Sequence, residues 1–400
     1  MSPSRRAFLG AIGAGGFAFA GWGCGTRRAV AVPPGAAFPQ AQHRAEVIRI
    51  GANENPYGPG ASALAAIRDS LPEANRYAFR AMADTSAAIA AHVGVPPEHV
   101  ALGCGSSEIL EAVVSAFTSQ DAGLLTASPT FELPSDRARE GGAPVVEVRV
   151  DAHGRLDLDA MLDRVGGSGL VYLCNPNNPT STAHAAGHVQ AFIEGVHARS
   201  PRTTVLVDEA YHDYAETPAY ATAIPLATAD PQVLVSRTFS KIHGMAGMRI
   251  GYVVAQPTTL RRLRPWLGGL RLNVLAAAAA RASVADVVHI GAQRALNREA
   301  KAFTLAALAR AGCTAYTSDA NFLMVDVGRD CRSFASACAS RQVRVARPFP
   351  PLDHYARITL GTLDEMRQAA VVFAEVLSAP PDAAALWPRP DWLDDRVKEC

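Results

Sequence analysis

The chain has 400 residues, of which 49% are hydrophobic and 19% charged, with a formal net charge of +1. That is ample for a large core, and at roughly 100–200 residues per domain it points to two or three domains. The balanced charge offers no basic excess for nucleic acid and no acidic tail of the disordered kind, so a charged substrate must be met by a few placed residues. The seven cysteines (Cys24, Cys104, Cys174, Cys313, Cys331, Cys338 and Cys400) are scattered without CxxC spacing. This argues against a zinc site or a disulfide framework and reads as small buried hydrophobes with one terminal thiol.

At the N-terminus, Arg5 and Arg6 precede an uncharged run over residues 7–26, rich in Gly and Ala, which Arg27 and Arg28 close. The pattern Ser4-Arg5-Arg6-x-Phe8-Leu9 resembles a twin-arginine export signal, with Ala29-Val30-Ala31 as its cleavage site. The resemblance implies that residues 1–31 are a signal and that the mature protein is periplasmic. An N-terminal membrane anchor and a cytoplasmic protein with a misplaced start are the alternatives. Cys24 is a poor lipoprotein site, because the aliphatic residue expected three positions earlier is missing.

From Glu46 onward, short aliphatic runs alternate with helical stretches. The runs at 170–174, 205–207 and 233–235 each end in a polar cluster. Between them lie segments with helical spacing, such as Leu64, Ile67 and Leu71, or Ile109, Val113 and Phe117. This pattern predicts an α/β fold, a mostly parallel sheet between two helical layers. Ligands of such sheets sit outside the carboxyl ends of the strands. From about Leu275 the pattern changes to long helices and then to short strands near 322–327, 343–346 and 358–360, which reads as a smaller α+β domain. Residues 46–74 are expected to form an arm contributing to that small domain, 75–275 the large domain and 276–379 the small one. The proline-bearing tail over 380–400 is expected to pack loosely.

The stretch Ser236-Arg-Thr-Phe-Ser-Lys241-Ile-His-Gly-Met-Ala-Gly-Met-Arg249 places a lone lysine among hydroxyls after an apolar strand, with an arginine eight residues on. A buried lysine sheds its proton and can attack an aldehyde as a neutral amine. Thr238, Ser240 and Arg249 would then grip a nearby phosphate with hydroxyls and a charge-assisted pair. A Ser-Lys pair alone is usually surface decoration; the whole string is far more specific.

The string resembles the lysine motif of fold-type I pyridoxal-phosphate aminotransferases, most closely the histidinol-phosphate aminotransferase branch. Further motifs from Gly51 to Thr362 follow in the family's order. Gly51-Ala-Asn-Glu-Asn-Pro-Tyr57-Gly-Pro59 is similar to the branch's N-terminal signature, which brings Tyr57 toward the substrate. Asn75-Arg-Tyr77 resembles the segment whose tyrosine reaches the cofactor phosphate of a partner subunit, implying a homodimer with shared sites. Gly103-Cys-Gly-Ser106-Ser107-Glu108, between a strand and a helix expected near Ser107, looks like the phosphate cup. Pro129-Thr-Phe131 is similar to the element whose ring stacks on the pyridine. Asn175-Pro-Asn-Asn178-Pro-Thr180 resembles the motif whose asparagine bonds the phenolic oxygen near the substrate carboxylate. Ser181 stands where the family has glycine, so the turn must avoid positive φ or tolerate strain.

Within Val207-Asp208-Glu-Ala-Tyr211, the resemblance implies that Asp208 keeps the pyridine nitrogen protonated and that Tyr211 bonds the phenolic oxygen. Arg357, in Arg357-Ile-Thr-Leu-Gly-Thr362, would bind the α-carboxylate with its planar fork. Asn321-Phe322 resembles an element lining the site. Arg344 and Arg347 lie where the family meets the distal group of its substrate, and solvated surface arginines are an equal reading of them.

What the resemblance implies is pyridoxal 5'-phosphate carried on Lys241, no metal, and ping-pong transamination between an amino acid or amino alcohol phosphate and a 2-oxo acid. Lys241 would act as base and then acid. Decarboxylation of an amino acid phosphate would use the same cofactor residues. A non-catalytic binding protein on this scaffold would need an added DNA-binding segment or a lost lysine, and neither occurs.

Overall fold

The computed structural model describes residues 47–380. The signal-like segment 1–31 and residues 381–400 of the tail lie outside the described residues. The described chain begins with the short strand β1 (Ile48–Ile50). Seven strands then build one sheet: β2 (Val100–Gly103), β3 (Gly123–Ser128), β4 (Val145–Arg149), β5 (Ser168–Cys174), β6 (Thr204–Asp208), β7 (Val233–Thr238) and β8 (Gly251–Val254). Their spatial order is β2-β8-β7-β6-β5-β3-β4. Every pairing is parallel except those of β8, which runs antiparallel to both its neighbours.

The central strands are apolar throughout because both faces are covered. Successive side chains point to opposite faces. Val171, Leu173, Val205, Val207, Val233 and Val235 join one core cluster, together with the helix Ala186–Arg199. Leu170, Tyr172, Leu206 and Leu234 join the other, where Ile109, Leu110, Val113 and Phe117 of the helix Gly105–Phe117 cover them. Each fully buried aliphatic side chain stabilises the fold by roughly 1.5–3 kcal/mol relative to exposure.

The small domain holds β9 (Thr314–Ala315), β10 (Phe322–Asp326), β11 (Val343–Val345) and β12 (Tyr355–Thr359). The antiparallel order is β12-β10-β9, and β1 pairs in parallel with β11. Its core gathers Ile50, Leu323, Phe334, Ile358 and Phe373. The helix Leu363–Ser378 starts from a capping box in which Thr362 and Glu365 each satisfy the other's backbone N–H. β12 starts three residues before the expected 358–360, because full pairing of Tyr355–Thr359 with β10 outweighs the lower apolarity of Tyr355 and Ala356.

Two expected boundaries move. In the arm 46–74, β1 joins the small domain, but the helix Ala61–Ser70 buries Ala63 in the large-domain core. The helix Val274–Ala285, expected in the small domain, buries Ala276, Ala279, Ala280 and Val284 in that same core. Its alanines are apolar on every side, so periodicity does not reveal which domain it faces. Leu64 and Leu71, expected on a packed helical face, are exposed together with Tyr77 and Phe79. Among the described residues no disulfide forms; Cys174, Cys331 and Cys338 are buried and free. Also among them, no single helix is long and apolar enough to cross a membrane.

Candidate active site

One edge of the large sheet collects the polar residues. β5 ends in Cys174, β6 in Asp208 and β7 in Thr238, with Ser240 and Lys241 just beyond. β2 runs out into the helix that carries Ser106 and Ser107, and β3 into the turn before Phe131. Because β8 runs the opposite way, its beginning lies at this edge: Gly251 pairs with both Gly103 and Thr238, which brings the preceding Arg249 there as well. These residues, with Ala52, Glu54, Asn178, Ala210, Tyr211, Ala246 and Gly247, line a cavity of about 500 Å³.

One end of the cavity is built for an anion. The helix Gly105–Phe117 begins there, with Ser106 and Ser107 of its first turn lining the cavity, and a helix start favours an anion. Gly105 is required here: its φ is +74°, and a Cβ would sit 2.5 Å from Nη2 of Arg249. Arg249 is itself left-handed at φ 57°, a conformation costing a non-glycine residue about 1–2 kcal/mol. Its guanidinium donates to the Ala246 carbonyl (3.0 Å) and to Ser107 Oγ (3.4 Å). Thr238 Oγ1 donates to Ser240 Oγ at 2.9 Å.

Asp208 occupies the interior of the site. Tyr172 Oη donates to one carboxylate oxygen (2.8 Å), and Ser236 Oγ (3.0 Å) and the Ala210 N–H (3.2 Å) to the other. Ser236 can do so because it pairs with Asp208 in strand register. Burial nevertheless raises the Asp208 pKa, against the pull of Tyr172 and Ser236. Such a carboxylate favours a cationic partner.

Lys241 is buried, and burial, then the charges of Arg357 and Arg249, lower its pKa to about 8, against Glu54 and Asp208. Its Nζ lies 5.6 Å from the centre of the Tyr211 ring. Tyr211 Oη accepts from Asn53 Nδ2 at 3.0 Å. Burial holds the Tyr211 phenol well above its ordinary pKa, partly offset by Arg357 and by that bond.

The small domain closes the site from above. Arg357 on β12 donates to Asn178 Oδ1 (2.7 Å) and to the Gly51 carbonyl (2.5 Å). Asn321 donates to the carbonyls of Asn53 and Glu54, and Thr359 Oγ1 bonds Asn53. The segment 51–54 is thereby tied over the cavity. Ser181 takes the strained alternative, with φ 64°. Its N–H donates to the Asn177 carbonyl (2.7 Å), and its hydroxyl donates to the carbonyls of Thr180 and Thr317.

The family model for aminotransferase class I and II matches residues 45–373. The chain belongs to this family. It is 36% identical to the histidinol-phosphate aminotransferase of Symbiobacterium thermophilum, over 84% of this chain and 90% of that one. It is 34% identical to the aromatic amino acid aminotransferase of Thermobifida fusca, over 79% of this chain and 87% of that one. It also resembles the crystal structure of histidinol-phosphate aminotransferase from Sinorhizobium meliloti in complex with pyridoxal-5'-phosphate, with a TM-score of 0.78, 29% identity, and coverage of 83% of this chain and 90% of that one. The chain is a fold-type I, pyridoxal-phosphate-dependent aminotransferase.

The aminotransferase has a donor set that fits this cofactor: an anion cup at one end, a buried carboxylate for the ring nitrogen, and an amine of lowered pKa between them. Of the residues singled out in the sequence, the cavity brings together Ser106, Ser107, Phe131, Asn178, Asp208, Tyr211, Thr238, Ser240, Lys241 and Arg249. Arg357 stands one hydrogen bond behind, through Asn178. Tyr57, Tyr77 and Arg347 do not line it. Tyr57 is 38% exposed, Tyr77 is 73% exposed and packs against Phe79, and Arg347 pairs with Glu132. Sequence reading gave no role to Tyr172, Ser236 or Asn53. For Tyr172 a signal existed, a hydroxyl inside the apolar run of β5, whereas Ser236 stands where the aliphatic run of β7 ends.

Proposed function

We propose that this aminotransferase anchors pyridoxal phosphate on Lys241 and uses the freed amine to move the substrate's α-proton in a ping-pong exchange with a 2-oxo acid. The observation that carries the reading is the buried Lys241, its pKa lowered to about 8, in one cavity with Asp208 and an anion cup. Ser106, Ser107, Thr238, Ser240 and Arg249 would hold the phosphate, and Phe131 would lie against the ring. Asn178 and Tyr211 would bond the phenolic oxygen. Asp208, steadied by Tyr172 and Ser236, would keep the ring nitrogen protonated. When bound, the cofactor supplies the electron sink for the carbanion. Arg357 would orient the donor by its carboxylate, or by the phosphate of an amino alcohol phosphate, and Lys241, with a pKa lowered to about 8 that leaves part of its amine neutral at working pH, would take the α-proton and return it. Tyr57 and Arg347 lie outside the cavity, and Arg347 would meet the distal part of the substrate at its rim.

A homodimer with shared sites is part of the proposal. Tyr77, Phe79, Leu71 and Leu64 are exposed apolar side chains, which a second copy would cover, delivering Tyr77 to its phosphate cup. Mixing Lys241→Ala with Tyr77→Ala tests this: hybrids with one intact site regain activity that neither parent has, and no regain refutes sharing.

The relatives' names support histidinol phosphate or an aromatic amino acid as amino donor. Expression of residues 32–400 in a histidine auxotroph lacking its own aminotransferase separates them. Failure to complement with soluble active protein removes histidinol phosphate. Periplasmic export rests on Arg5 and Arg6; a protein that stays uncleaved in the cytosol on fractionation would contradict it.

A further inference from the structure

Glu132 directly follows Phe131, which lines the cavity, and belongs to the large domain. Its carboxylate meets the guanidinium of Arg347 at 2.5 Å, and Arg347 belongs to the small domain. The pair therefore bridges the two domains at the rim of the site. A second path leads from the pair back to the substrate position. Arg347 lies 4.5 Å and Arg357 4.6 Å from the centre of the same Phe349 ring, so the two guanidiniums are at most about 9 Å apart. Phe349 is buried and holds both of them. Arg357 in turn bonds Asn178 inside the cavity.

We propose that Glu132 is a specificity-determining residue, which selects amino donors with an uncharged distal group by occupying Arg347. The inference rests on the reading of Arg357 as the carboxylate-binding residue. With the two guanidiniums at most about 9 Å apart, a donor held there whose side chain runs toward Phe349 would need several carbons to reach the Glu132–Arg347 pair. A donor with a distal carboxylate or phosphate meets a cation that is already neutralised, and an acidic oxygen beside it. To bind, it must displace Glu132 from Arg347 and leave two anions close together. An uncharged or aromatic distal group leaves the pair intact and packs beside Phe349. The pair is partly solvated, with side-chain exposures of 40% for Arg347 and 55% for Glu132. The discrimination it supplies is correspondingly modest, about two- to fivefold, and screened by salt.

The test uses L-glutamate and L-glutamine, which match in shape and differ in distal charge. The amino-donor half-reaction of the pyridoxal-phosphate-loaded wild type, Glu132→Gln and Glu132→Asp would be followed in single turnovers, and the glutamate-to-glutamine ratio of rate over half-saturation compared. The expected result is a ratio raised about two- to fivefold by Glu132→Gln, with the gain shrinking in high salt, and a ratio kept near wild type by Glu132→Asp. An unshifted ratio, or the same shift in Glu132→Asp, overturns the inference while leaving the aminotransferase reading intact. No conversion by glutamate, glutamine or an aromatic amino acid in any of the three proteins overturns both.

Discussion

Replacing Lys241 with methionine removes a buried amine while keeping much of its volume. The folded-state pKa of about 8, against an ordinary 10.5, corresponds to about 3 kcal/mol of disfavoured burial of the ammonium form. A lysine whose pKa is lowered by folding makes the unfolded chain bind more protons between pH 8 and 10.5, so stability rises with pH across that window. The penalty is full below about pH 8 and gone above about 10.5. The assay is urea unfolding of cofactor-free protein at fixed concentration, at pH 7 and pH 10.5, for wild type and Lys241→Met. The difference between the two proteins cancels the tyrosines that titrate in the same range. The variant should be more stable by up to about 3 kcal/mol at pH 7, with the gap closing toward pH 10.5. A gap independent of pH, or a wild type more stable at pH 7, would refute the reasoning. The same physics governs reactivity: at pH 7 about a tenth of the Lys241 amine is neutral, against about three in ten thousand for an ordinary lysine.

Arg357→Lys keeps the charge but loses the fork that reaches Asn178 and Gly51 together, so kcat/KM for carboxylate-bearing donors should fall about ten- to a hundredfold, mostly through KM. Tyr172→Phe removes one of three donors to the buried Asp208, a charged hydrogen bond worth about 1.5–3 kcal/mol. Pyridoxal phosphate should dissociate at least tenfold more readily in equilibrium dialysis, and unchanged retention would contradict the role given to Asp208. At Ser181, glycine relieves the left-handed strain and alanine does not, while both lose the hydroxyl's bonds to Thr180 and Thr317. Thermal melting should find Ser181→Ala less stable than Ser181→Gly by about 1–2 kcal/mol.

The sheet was legible because burial on both faces writes itself as unbroken aliphatic runs, and those of β5, β6 and β7 end where Cys174, Asp208 and Thr238 enter the site. The lysine loop was legible because a charged residue among hydroxyls after such a run has few structural uses. The helix Val274–Ala285 was misplaced because alanine carries no facial signal, and only packing against the helix Ala61–Ser70 and the sheet assigns it. The support of Asp208 by Tyr172 and Ser236 depends on strand register and side-chain direction, which a linear sequence does not display. The pairing of Arg347 with Glu132 joins residues 215 positions apart from two domains, and no local pattern announces it.

The most direct test of the central claim is the absorption spectrum of the purified protein beside Lys241→Ala, with amino donors added one at a time. The account predicts a visible band from lysine-bound pyridoxal phosphate in the wild type, absent from the variant. One or more donors should convert it to the near-ultraviolet band of the aminated cofactor. A wild type with no visible band even after pyridoxal phosphate is supplied, or the same band in Lys241→Ala, would contradict it.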